Sequence, residues 1–290
     1  MKQVDRAALL GAAEIERAHH SADVIQGASA NLAMERGLVY LALQIPMPER
    51  AAWLVEIDNR RASVDQALDA AGKEFVEGQW TKTSWPVGRM NAQFTHLERL
   101  RMATDEQLSA PLSDRSRDLA DVWFREATAI IKNLNTVLQI VHSRIAYADP
   151  DSRFSLRVQR YVGNIAELAG RERALIAAAA AADEPLSSRQ LTMLKGYRLQ
   201  MVEDWRRISL VANSSPTAFD LSGKLADAYR EYVRVLVKTA EQMVNERNLG
   251  GAFPLTAERW LDESSRAIDS ILEVDAVAGA RMGANSNRTS

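Results

Sequence analysis

The chain of 290 residues contains no cysteine, 14 glycines and 8 prolines, and 6% of it is aromatic. Without thiols there can be no disulfide staples, iron–sulfur clusters or thiolate zinc sites. Glycine and proline fall between long segments of helical period, so little breaks those segments and the expected fold is all-α. No apolar run reaches the roughly 18–20 residues that span a bilayer, and no secretory apolar region follows Met1. The longest weakly apolar stretch, Ala174 to Ala182, is mostly alanine. As it stands the chain reads as soluble. An excess of one charge is also lacking, since 36 Lys+Arg against 38 Asp+Glu leave a formal net charge of −2. That balance argues against nucleic-acid or anionic-membrane binding, which needs a basic face.

What is present is apolar material, 47% of the residues, arranged at helical spacing. Helices are expected from about Arg6 to Gln44, Glu49 to Glu77, Met90 to Ser109 and Arg115 to Tyr147. A break is expected around Trp85-Pro86-Val87-Gly88, and a turn at Asp149-Pro150-Asp151 separates the halves. Further helices follow from about Ser152 to Ala182, Ser187 to Ala212, Pro216 to Asn248 and Thr256 to Arg281. Ser187 suits an N-cap, and Ser215-Pro216 has the cap-then-proline order that starts a helix. Long helices with few short connections describe an elongated antiparallel bundle. It divides into two related four-helix-like modules, residues 1–148 and 149–284, followed by a polar, disordered tail at 285–290.

The two halves share a motif. Glu35-Arg36-Gly37-Leu38 returns as Glu172-Arg173-Ala174-Leu175, and at the same offset Pro48 falls on Pro185, Leu54 on Leu191 and Arg61 on Arg198. On a helix the neighbours of Arg36 are Leu32, Ala33, Val39 and Tyr40, and those of Arg173 are Ala169, Gly170, Ile176 and Ala177. Both guanidinium groups therefore emerge among small or apolar side chains, where they cannot shed charge. Two explanations stand. In one, Glu35 pairs with Arg173 and Glu172 with Arg36 in a neutral quartet. In the other, the arginines hold a small planar anion with parallel hydrogen bonds.

With these residues on the page the chain resembles a known family. Leu32-Ala33-Met34-Glu35-Arg36-Gly37-Leu38, then Leu97-Glu98-Arg99-Leu100-Arg101, then Glu167 through Ala174 are similar to the nitrate- and nitrite-sensing domain of bacterial receptors. The resemblance covers roughly Ala28 to Val244. It implies two helical bundles related by approximate symmetry, with an anion held by arginines between long helices. Arg36 and Arg173 match the motif arginines, and Arg101 matches a basic position ending the middle motif. On its own helix face Arg101 has Glu98 and Asp105, so a surface ion pair is its ordinary expectation. Trp260, Ser264-Ser265 and Ile268 to Ile271 are similar to the last helix of receptor sensor domains, although a packing helix anchored by tryptophan has the same spacing.

Other motifs carry less. Glu16 and His19 have the Glu-x-x-His spacing of carboxylate-bridged metal bundles, but neither His96 nor His142 has a glutamate three residues before it. His19 and His20 are then expected on a solvated face, as are Arg60-Arg61 and Arg206-Arg207. The six tryptophans read as core anchors. No phosphate loop, nucleophile elbow or zinc-protease motif is present. The expectation is a non-enzymatic extracytoplasmic sensor domain of a chemoreceptor, kinase or cyclic-dinucleotide enzyme, with no cofactor and no metal. Its candidate ligand-binding residues are Arg36, Arg173, Arg101, Glu35 and Glu172. The partners implied are a small anion and the receptor's own transmembrane and cytoplasmic output module. The resemblance also allows a homodimer, and no nucleic acid is expected. A small carboxylate ligand, or a ligand-free helical scaffold, are the alternatives.

Overall fold

The computed structural model describes residues 12–46, 51–77, 84–116, 118–149, 152–213 and 219–286, and every regular element among them is helical. The polar tail beyond Ser286 and the turn at Pro150-Asp151 lie outside the described residues. The chain divides into two compact units. Unit 1 is Met1–Val39 with Met47–Arg153, and unit 2 is Tyr40–Pro46 with Phe154–Ser290.

Unit 1 is built from α1 (Ala12–Ala42, up to Val39), α2 (Ala51–Glu77), α3 (Ser84–Ser109) and α4 (Leu119–Ala148), with a 3-10 turn at Leu112–Asp114. Its core follows from α4, where Ala120, Trp123, Ala127, Ile130, Leu134, Val137, Val141 and Ile145 recur every three to four residues and are all buried. α3 packs on α4. Facing apolar side chains such as Ile25 and Leu32 of α1 are fully buried. The expected break at Trp85 to Gly88 does not occur, because α3 begins at Ser84. Pro86 then falls in the first turn, where its missing N–H costs no intrahelical bond.

Unit 2 contains α5 (Arg153–Ala182), α6 (Ser188–Asn213), α7 (Phe219–Glu231), α8 (Ala240–Asn248) and α9 (Ala257–Ser286). Ser187 caps α6 as expected. Its hydroxyl accepts from the backbone N–H of Gln190, and its own N–H donates to Gln190 Oε1 at 2.8 Å, closing a capping box. The single helix expected over 216–248 is instead interrupted by a π-helical segment, Tyr232–Thr239. No glycine or proline marks it. Val233, Val235, Val237 and Thr239 are β-branched and weaken the preference for α-helix there. α8 ends at a left-handed Gly250 (φ 86°), with Gly250 N–H on Arg247 O and Gly251 N–H on Glu246 O, a Schellman closure. α9 packs on α7 and on the π-helical segment.

Element by element, α1 corresponds to α5, α2 to α6, α3 to α7 with the π segment and α8, and α4 to α9. No described helix is long and apolar enough to cross a membrane.

Candidate functional site

In unit 1 the carboxylate of Glu35 is fully buried in α1. It accepts hydrogen bonds from Arg61 Nε at 3.0 Å and from Arg101 Nε at 2.8 Å and Nη2 at 2.7 Å. Arg61, on α2, also clasps Asp105 through both terminal nitrogens at 2.9 and 2.8 Å. Arg101, on α3, reaches Asp65 at 2.6 Å. Arg61 and Arg101 are held more firmly protonated than an ordinary guanidinium by these carboxylates, against the opposing effect of burial. Arg101 is therefore buried and bonded across the unit. The expected surface pair with Glu98 and Asp105 does not form, since Asp105 is taken by Arg61 and the closer acid across the bundle is Glu35.

Arg36 turns away from that network. Its Nη1 donates to Thr128 Oγ1 at 3.1 Å, and its guanidinium lies over the Phe124 ring, 5.0 Å from the centroid. The Trp123 indole N–H donates to the Arg36 carbonyl at 3.0 Å. Aromatic face and hydroxyl together fix the orientation of a cation that is wholly buried.

Unit 2 repeats this arrangement at the same intervals. Arg198 donates to Glu172 across 26 residues, as Arg61 does to Glu35. The Trp260 indole donates to the Arg173 carbonyl at 3.0 Å across 87 residues, matching Trp123 and Arg36. Arg173 Nη1 donates to Ser265 Oγ at 2.9 Å across 92 residues, matching Arg36 and Thr128. The repeat is thus a repeated set of contacts. Trp260 and Ser265 have a structural explanation as the counterparts of Trp123 and Thr128.

The copies differ in the partners of the buried glutamate. Both oxygens of Glu35 are satisfied by two arginines, whereas Glu172 receives only Arg198, with Nε at 2.8 Å and Nη2 at 2.6 Å on Oε1. Glu172 Oε2 is buried without a hydrogen-bond partner. The repeat position of Arg101 is Lys238, an exposed residue of the π-helical segment. Burial consequently pushes the Glu172 carboxyl up to about 7, with Arg198 opposing the shift and Glu241 adding to it.

Each motif glutamate is therefore bonded to arginines of its own unit, Arg61 and Arg101 for Glu35 and Arg198 for Glu172. Arg61 was expected on a solvated face, and Arg198 was marked only as its partner in the repeat. Their side chains are 15% and 24% exposed, and they tie α2 and α6 to the buried acids. The offset that relates them in the sequence is the signal that marks them. Trp123 with Trp260, and Thr128 with Ser265, stand at the same offset and could have been found by extending it. Among the described residues no group of His, Asp and Glu is placed to hold a metal ion.

The family model described as nitrate and nitrite sensing matches residues 28–283. No curated protein matches the chain. Among solved structures, that of the NasR transcription antiterminator superposes with a TM-score of 0.64 at 17% identity, covering 96% of this chain and 70% of that one. At that identity the likeness establishes the fold alone. Because the family model spans nearly the whole chain, including both Glu-Arg motifs and their indole and hydroxyl partners, this protein belongs to the nitrate and nitrite sensing family.

Proposed function

We propose that this chain is the ligand-binding sensor region of a bacterial signalling protein, that its ligand is a small planar oxyanion of the nitrate or nitrite type, and that Arg36 and Arg173 bind it. The observation that carries this reading is the pair of deeply buried arginines at equivalent positions. Each is oriented by a hydroxyl, and each has an indole donor on its carbonyl. A guanidinium fork offers two parallel donors to a planar anion, and in a dry setting such charge-assisted bonds are worth about twice neutral ones. Glu35 and Glu172 act in support, engaging the neighbouring arginines Arg61, Arg101 and Arg198. Arg101, bonded to Glu35 and Asp65, belongs to that support as well.

The domain performs no chemistry in this reading. Binding biases two conformational states by its differential affinity, typically ~1–3 kcal/mol, and the output module reads the bias. The family resemblance supports a place on the extracytoplasmic side of a membrane receptor. The likeness to a transcription antiterminator over 96% of the chain supports a second reading of the output, regulation of transcription. The sequence flanking the domain in its gene distinguishes the two.

Thermal unfolding with nitrate and nitrite tests the site. Ligand at ~100 times Kd adds about 2.7 kcal/mol to the native state. The expected result is a raised midpoint that disappears in Arg36→Ala and Arg173→Ala while circular dichroism shows helicity retained. An undiminished midpoint rise in both variants would remove these arginines from the site.

A further inference from the structure

Unit 1 shows how a carboxylate completes the arginine that braces the buried acid. Arg61 gives Nε to Glu35 and both terminal nitrogens to Asp105, at 2.9 and 2.8 Å, so its fork is fully used. In unit 2 the corresponding Arg198 gives Nε and Nη2 to Glu172. The residue at the repeat position of Asp105 is Gln242. The acid of α8 that comes nearest Arg198 is instead Glu241. Its carboxylate stops 3.6 Å from Arg198 Nη1, beyond hydrogen-bond range, and is half exposed. The outer edge of the Arg198 fork therefore lacks the clasp that its twin has.

Arg198 also lines a cleft of about 260 Å³ between α6 and α8. Arg198 and Lys195 of α6 line one side, and Asn245 and Asn248 of α8 the other. Leu194 and Val244, both buried, form its apolar floor. Among the described residues the Lys195 ammonium and the two amide side chains make no intramolecular hydrogen bond or ion pair. A lysine, an arginine and two asparagines thus border a cleft whose lining is mostly apolar. Binding sites for small molecules combine these features, a largely apolar lining with a few placed polar groups.

We propose that this cleft is a second binding site, separate from Arg36 and Arg173, for a small monocarboxylate with a short apolar tail. The carboxylate takes on Arg198 the place that Asp105 holds on Arg61, with Lys195 as a second cation and the amides as donors. The tail covers Leu194 and Val244. Nitrate has no tail to cover that floor, so the cleft favours the carboxylate.

Isothermal titration of the chain with sodium butyrate, with sodium nitrate run in parallel, tests the proposal. Butyrate is expected to bind, and Lys195→Ala to weaken it about tenfold, the loss of one charge-assisted contact. Glu241→Gln is expected to tighten it several-fold by removing a competing carboxylate, which a purely structural role for Glu241 does not predict. Both positions are surface-exposed, so these variants should fold. Arg36→Ala should leave butyrate binding unchanged while abolishing any nitrate response, which keeps the two sites distinguishable. Absence of butyrate heat into the millimolar range, or butyrate binding indifferent to Lys195→Ala, would overturn the proposal. Nitrate binding lost in Lys195→Ala, without butyrate binding, would overturn the carboxylate class.

Discussion

Replacing Glu172 by glutamine should change how stability depends on pH, in a direction opposite to that of an acid whose titration is lowered by an ion pair. The folded carboxyl is fully buried and faces one cation, Arg198 of α6. It also feels the Glu241 carboxylate of α8, and the Tyr232 hydroxyl of the π-helical segment lies close enough to be raised by its charge. Burial dominates and moves its titration from 4.5 to about 7. Below 4.5 both folded and unfolded chains hold this proton. Between 4.5 and 7 the unfolded chain gains by ionising and the folded one does not, so stability falls as pH rises. Above 7 the loss levels off. At about 1.4 kcal/mol per unit the shift corresponds to about 3 kcal/mol. Urea unfolding of wild type and Glu172→Gln at steps from pH 4.5 to 8 isolates this group, because the other titrations cancel in the difference. The variant's stability relative to wild type is expected to climb by about 3 kcal/mol across that window. A difference that stays flat would refute the reasoning, since it would mean that Glu172 ionises alike in both states.

The matching change in unit 1 should behave differently. Glu35→Gln strands Arg61 and Arg101 against an amide at a fully buried position, and is expected to cost ~3–5 kcal/mol in urea unfolding. A cost below about 1 kcal/mol would show that those guanidinium groups find other acceptors. His142, buried on α4, is pushed down to about 4 by desolvation and by the nearby His19. Its proton binds the unfolded chain first, so its contribution is full above 6.5 and is lost as pH falls toward 4, by about 3 kcal/mol. An NMR titration of the His142 ring protons should show a midpoint near 4, and one near 6.5 would contradict the burial argument.

Much was legible in the order of residues. Sparse glycine and proline with helical spacing implied an all-α chain, and the offset relating Glu35-Arg36 to Glu172-Arg173 implied two copies of one module. Those features are local or nearly so, because helix period depends on residues three and four apart and a repeat needs only comparison of the chain with itself. The Ser187 cap was readable for the same reason, since it bonds a residue three positions away. The partners of the buried charges were not. Arg101 has acids on its own helix face yet bonds Glu35, 66 residues distant, because packing α3 against the bundle dehydrates that face and brings a fully buried carboxylate within 2.8 Å. The π-helical segment was equally hidden, carrying neither glycine nor proline to mark it. The sequence by itself therefore determined the helices, their duplication and the arginines worth watching. Tertiary structure alone decided which acid each arginine neutralises, and with it that Glu35 has two guanidinium partners where Glu172 has one. The physical reason is that a buried charge takes whichever opposite charge packing brings closest, and sequence distance does not enter that choice.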